Sequence, residues 1–202
     1  ARAEGSAVEQ VLVSVVAGVT TVFYESRLPA GSPVIRVMPN APALVGAGVS
    51  ALAKGRFATD DHLSEAARLF ECVGGVLTVP ESQIDAVTAV SGSGPAYFFL
   101  FVEALIDAAV ATGLSRAVAT DLAVQTMAGS AAMLLERLPE PGAPVQAIPD
   151  TSAAQLRAMV TSPGGTTAAG LRELERGGVR AAVANAVDAA KTRSEQLGIT
   201  SE

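Results

Sequence analysis

The run Val160-Thr161-Ser162-Pro163-Gly164-Gly165-Thr166-Thr167 concentrates the chemistry of this chain. It places paired glycines and several hydroxyls just before a helical-looking segment, Ala168 to Arg176. Glycine has no Cβ, so a ligand can approach the backbone at Gly164 and Gly165. The amides that open a helix point outward at the positive end of its dipole. Such a turn suits a small carboxylate. An ordinary loop with a capped helix start is the competing reading.

Other reactive side chains are few. His62 is the sole histidine and stands at the start of a helical run, where a solvated helix-start residue is its simpler role. Cys72 is the sole cysteine, which excludes an internal disulfide and a cysteine-cluster metal site. Its place in an apolar stripe predicts a buried small hydrophobe. A zinc hydrolase or a Ser/His/Asp hydrolase has almost nothing to work with, and no metal is expected. Glu103 and Asp107 share a helical face at i,i+4. A salt link or a water-facing edge explains them more plainly than a glycosidase pair.

The elements that position these residues follow from composition. Half of the 202 residues are apolar but only 4% are aromatic, so alanine and glycine must build closely packed helices. The net charge of −6 comes with no basic block, which argues against a nucleic-acid partner or an acidic membrane surface. The most apolar segment, Ala96 to Ala111, contains Glu103 and Asp107, whereas a bilayer span needs about 20 largely apolar residues. A buried or subunit-interface helix is expected there. The amino-terminal Ala-Arg-Ala-Glu shows no apolar signal core, so export is not expected, and the lack of an initiator Met suggests a start downstream of the gene's own.

Residues 1–82 read as alternating α and β. An apolar stretch, Val8 to Val13, leads through Ser14-Val15-Val16-Ala17-Gly18 into a helix ending near Ser26. A strand over Pro33 to Met38 is ended by Pro39, Thr59 to Asp61 cap a helix, Gly74-Gly75 stop it, and Val76 to Val79 form another strand. This is half of an open α/β sheet. Residues 83–202 read as helices alone: Pro95 to Thr112, a second from a Ser115 cap to about Leu138, a short one from Ser152 to Met159, one opened by Thr166 or Thr167 and ended by Gly177-Gly178, and Ala181 to Leu197. The proline-rich stretch 139–149 cannot be helical. Two of these helices, rich in alanine and glycine, are apolar on more than one face, which five helices cannot bury among themselves. A dimer with interleaved helices answers that surplus, and packing against the first domain is the alternative.

Three ordered blocks carry a resemblance. Met159 to Thr167, followed by Gly170-Leu171 and Leu174-Glu175, is similar to the signature of the pyrroline-5-carboxylate reductases. Thr88-Ala89-Val90-Ser91-Gly92-Ser93-Gly94-Pro95-Ala96-Tyr97 resembles that family's second block, and Arg36-Val37-Met38-Pro39-Asn40 with Gly46-Ala47-Gly48 its third. The resemblance implies an α/β plus all-α fold: the C-terminal part of a Rossmann-like dinucleotide-binding domain (1–82), then a helical substrate-binding and dimerisation domain (83–202). It implies reduction of Δ1-pyrroline-5-carboxylate to L-proline with NADPH or NADH, the last step of proline synthesis, in a cytoplasmic homodimer or ring of dimers.

It also implies the site. The substrate carboxylate is held around Val160, Ser162, Gly164, Gly165 and Thr166, and Thr167 stands nearest the imine nitrogen. Asp150 lies where the family often carries an acidic residue near substrate, or serves as a loop residue beside Ser152. Val15, Val16, Met38, Pro39 and Asn40 border the nicotinamide, although Val15 and Val16 could equally be core. The family's opening strand and Gly-x-Gly-x-x-Gly turn do not occur here. The chain resembles the family minus about its first third. Two other readings stand beside the enzyme: an inactive oligomerisation or regulatory homologue, and a related β-hydroxyacid dehydrogenase. The latter calls for a helix lysine, and Lys54 and Lys191 are not in such a setting.

Overall fold

The computed structural model describes residues 10–138 and 152–199. The proline-rich stretch 139–149 and Asp150 lie outside them. The described residues divide into two compact units, one running to Tyr97 and resuming at Ala184, the other Phe98–Val183. Among the described residues no strand follows Thr78.

In the first unit, strands β1 (Leu12–Ser14), β2 (Val34–Met38), β3 (Gly48–Lys54) and β4 (Gly74–Thr78) form one sheet in that order. β1 pairs parallel with β2, β2 antiparallel with β3, and β3 parallel with β4. The sheet is therefore mixed. Helix α1 (Thr21–Glu25) follows β1 and α2 (Asp60–Glu71) follows β3. Period-two alternation sends β2 and β3 side chains to both faces. Ile35, Val37 and Leu52 pack with Ala66 of α2 on one face. Ala51 and Ala53 pack with Ile84 on the other, where α3 (Ile84–Val87) lies between a 3-10 turn at Glu81–Gln83 and a π turn at Thr88–Gly92.

β3 is the strand that periodicity does not reveal. Its Gly-Val-Ser-Ala-Leu-Ala-Lys sequence has a single β-branched residue, Val49, and no aromatic, a weak strand signal. Pairing to β2 and β4 on both sides decides its conformation instead. Gly74 likewise begins β4 and does not merely stop α2. Its φ is +148°, and a Cβ there would lie 1.9 Å from the Gly48 carbonyl oxygen, so only glycine fits. Cys72 departs from expectation: it sits just past the end of α2, exposed, with its Sγ donating to the Leu69 carbonyl at 2.9 Å. His62 closes a reciprocal cap. Its amide donates to Thr59 Oγ1 and its Nδ1 accepts from the Thr59 amide, both at 3.2 Å.

The helical part comprises α4 (Gly94–Ala111), α5 (Arg116–Leu135), α6 (Ser152–Met159), α7 (Thr166–Arg176) and α8 (Val179–Ile199). Ser115 caps α5 as expected, its Oγ accepting from the Val118 amide at 3.4 Å. α4 is not buried within the chain: Phe98, Phe99 and Leu100 are 60%, 68% and 66% exposed. Asp107 on the same helix pairs with Arg116 at the start of α5 at 2.8 Å.

Candidate active site

The turn expected to hold substrate, Ser162 to Gly165, lies in the second unit and is built by local chain chemistry. α6 ends with the Val160 amide donating to Leu156 and the Thr161 hydroxyl to the Arg157 carbonyl at 2.6 Å. The Gly165 amide then donates to the Ser162 carbonyl at 3.1 Å, closing Ser162-Pro163-Gly164-Gly165. Proline second and a glycine at φ +69° third are the requirements of a type II turn. Gly165 is the N-cap of α7, extended at φ −77° and ψ 174°, and no side chain caps the helix. The first helical amides, Thr166, Thr167 and Ala168, therefore fall to a ligand or water. A Cβ at Gly164 would meet nothing within 4 Å, so the approach is open.

Ser162, Gly164 and Thr166 are exposed, and Gly165 and Thr167 partly so. Val160 is exposed at the end of α6. None of these side chains ionises near neutrality. The turn offers oriented dipoles and hydroxyls rather than acid–base groups, a set that fits a carboxylate.

The residues expected to border the cofactor, Val15, Val16, Met38, Pro39 and Asn40, gather in the first unit. Because β1 and β2 run parallel with Ser14 opposite Arg36, Val15-Val16 and Met38-Pro39-Asn40 leave the sheet at the same carboxyl edge. Open α/β sheets bind ligands at such edges. Val15 and Val16 are 51% and 50% exposed, so they are not core. Asn40 Oδ1 accepts from the Val49 amide at 2.9 Å, which braces β3 and leaves the side-chain NH2 for a ligand. Half-exposed apolar surface beside an amide donor fits the nicotinamide half of a dinucleotide. The second sequence block meets this edge, since a Cβ at Gly92 would lie 2.8 Å from the Met38 methyl. A π turn beside such a site is a recurrent arrangement.

Sequence reasoning passed over a buried polar network behind this edge. Arg36, 2% exposed, reaches Glu81 at 3.5 Å and Asp85 at 3.4 Å. Glu81 in turn accepts from the Thr21 amide at 2.7 Å and its hydroxyl at 2.6 Å. The Ser194 hydroxyl of α8 donates to Asp85 at 2.7 Å. The available signal was an arginine inside Val-Ile-Arg-Val-Met, a strand otherwise wholly apolar.

Both lysines are engaged in ion pairs. Lys54 of β3 holds Asp60, whose carboxyl its hydrogen bond and charge push below the usual range. Lys191 of α8 pairs with Glu195, whose hydrogen bond and charge raise the ammonium. A hydroxyacid dehydrogenase's proton-transferring lysine has no candidate in them.

Residues 81–197 match the family model for pyrroline-5-carboxylate reductase dimerisation. The whole chain is 68% identical to a pyrroline-5-carboxylate reductase of Mycobacterium tuberculosis, covering 70% of that protein. Another, from Mycobacterium leprae, is 69% identical over 96% of this chain and 68% of its own length. The structure of the Coxiella burnetii pyrroline-5-carboxylate reductase superposes at TM-score 0.84 with 38% identity, over 95% of this chain and 67% of that one. A Plasmodium falciparum pyrroline carboxylate reductase with NADP bound superposes at 0.79 with 35% identity, over 94% and 71%. With a family model matched over more than half its length and relatives more than two-thirds identical to it, the chain belongs to the pyrroline-5-carboxylate reductase family.

Proposed function

We propose that this chain carries the substrate turn, the dimerising helices and the nicotinamide edge of an enzyme that reduces Δ1-pyrroline-5-carboxylate to L-proline. The observation that supports it most is the glycine-capped start of α7, an anion site with no competing side chain. Amides at the start of α7 hold the substrate carboxylate, with Ser162 and Thr166 beside it and Val160 flanking the turn. A cyclic imine enters protonated, and the Thr167 hydroxyl accepts from its N–H. When bound, the nicotinamide cofactor supplies the hydride that adds to the C=N carbon while the π pair passes to nitrogen, giving the amine. Val15, Val16 and Pro39 would present apolar surface to the nicotinamide ring, and Met38 and Asn40 would set its border. The chemistry asks these residues for alignment and exclusion of water, not for an acid or base.

Oligomerisation belongs to the same reading. The helical stretches Glu81–Ala111, which ends in α4, and Arg116–Leu135, which is α5, are long and apolar enough to cross a membrane by length and composition. They also lie inside the matched dimerisation region, and α4 carries Glu103 and Asp107. A homodimer, alone or in a ring of dimers, covers them without a membrane. A net charge of −6 argues against a nucleic-acid partner, and a free, exposed Cys72 suits a reducing cytoplasm.

Full-length protein given pyrroline-5-carboxylate is expected to oxidise NADPH or NADH and accumulate proline. Proline absent with both cofactors, from a folded dimer, would favour the inactive homologue instead.

A further inference from the structure

α8 touches the nicotinamide edge through an unusual contact. Gly198, in its last turn, packs backbone to backbone on Gly18, in the turn that follows Val15-Val16-Ala17. A Cβ at Gly198 would lie 2.5 Å from the Gly18 carbonyl oxygen. A Cβ at Gly18, where φ is +79°, would lie 2.9 Å from the Gly198 nitrogen. Neither position accepts another residue without moving the other segment. Glycine is disfavoured inside a helix, so its presence there calls for a packing reason, and this contact is one.

The contact is one of three that fix the segment between β1 and α1. At its start, the Ser14 hydroxyl donates to the Tyr24 hydroxyl at 2.9 Å. At its end, Thr21 is held by Glu81 through both amide and hydroxyl. Glu81 and Asp85 are joined through Arg36, and Asp85 receives the Ser194 hydroxyl one turn before Gly198. Ser194 is 2% exposed. α8 is therefore attached to the nicotinamide-side segment twice, directly at Gly198 and through Ser194, Asp85, Arg36 and Glu81.

We propose that Gly198 and Ser194 are positioning residues that set the height of the Val15-Val16 edge, so that the carboxyl end of α8 tunes cofactor binding. This rests on the reading that Val15 and Val16 border the nicotinamide. Gly198→Ala inserts a methyl where there is no room, and the softer partner, the Ala17-Gly18 turn, must retreat. Displacements of about an ångström at a reacting site cost as much as 100-fold, so a loss of about tenfold in cofactor affinity is expected.

The test uses the full-length enzyme. Calorimetric Kd and KM for NADPH should both rise about tenfold in Gly198→Ala, with KM for pyrroline-5-carboxylate unchanged. Unchanged cofactor affinity, or a lowered Tm with wild-type kinetics, overturns the proposal. Should Gly198→Ala fail to fold, Ser194→Ala decides: a weaker NADPH Kd with the substrate KM unmoved supports the role, and no change overturns it. Val16→Asp separates the underlying reading. No effect of Val16→Asp on NADPH binding removes the placement and the proposal together. An effect there with none at Gly198 removes the positioning role alone.

Discussion

Thr167 stands at the second position of α7, past the Gly165 cap, so its hydroxyl takes no part in closing the helix start. Thr167→Val keeps the β-branch and the volume and removes only the hydroxyl. Losing a hydrogen bond to a charged group costs about 1.5–3 kcal/mol, or about 10- to 150-fold in kcat/KM. Steady-state kinetics should show that loss, with Tm and oligomeric state almost unmoved. A rise in KM alone would place the bond in the ground state, and a fall in kcat would place it in the transition state. Full activity with lowered stability would contradict the site assignment. The turn before this residue was legible in the sequence because turn chemistry is local: Ser-Pro-Gly-Gly states its own geometry, whereas the role given to Thr167 comes from the family resemblance. Arg36 was not, because its partners Glu81, Asp85 and Ser194 are distant in the chain.

Elements repeat that contrast. α2 and α5 announce themselves through capping side chains and α7 through the glycines that bound it, whereas β3, with two alanines and a glycine among its seven residues, forms because two neighbours pair with it. Its place between β2 and β4 is a tertiary property that no window of sequence contains. Across Gly177-Gly178, α7 is tied to α8 by Glu175 and Arg180 at 2.8 Å. The Arg180 hydrogen bond holds the Glu175 carboxyl below its usual range, against a smaller opposing push from burial. A carboxylate depressed in the folded state adds stability above its unfolded value, about 4.3, and that stability is lost as pH falls through the folded value. Glu175→Gln should therefore lower Tm slightly at neutral pH, and the difference should close in acid. Being exposed, the pair should also weaken in salt. A difference that persisted well below that range would contradict the ion-pair explanation.

At the scale of the molecule, α4 exposes phenylalanines and leucine that a lone chain leaves in water. Burial of such faces is the usual source of obligate dimers. Sedimentation at micromolar concentration should return a dimer or larger, with Tm rising with protein concentration. A monomer that stayed folded on dilution would contradict the interleaved helices. The sequence showed the surplus of apolar faces but not their partner, because a partner chain leaves no local signature beyond that surplus.

Carboxylate capture at the glycine-capped start of α7 is tested most directly by placing a competing carboxylate there. Gly165 has an extended backbone that any residue can adopt, although a Cβ would lie 3.2 Å from the Ser162 carbonyl oxygen. In Gly165→Asp the new side chain should cap α7 itself, for a stability change of a few tenths of a kcal/mol. The measurement is the ratio of kcat/KM for pyrroline-5-carboxylate to that for the same cyclic imine without its carboxylate. Wild type should prefer the carboxylate strongly. Gly165→Asp should lose most of that preference, through a higher KM for pyrroline-5-carboxylate, at nearly unchanged Tm. A preference that survived intact in a folded Gly165→Asp dimer would mean that the carboxylate is held elsewhere.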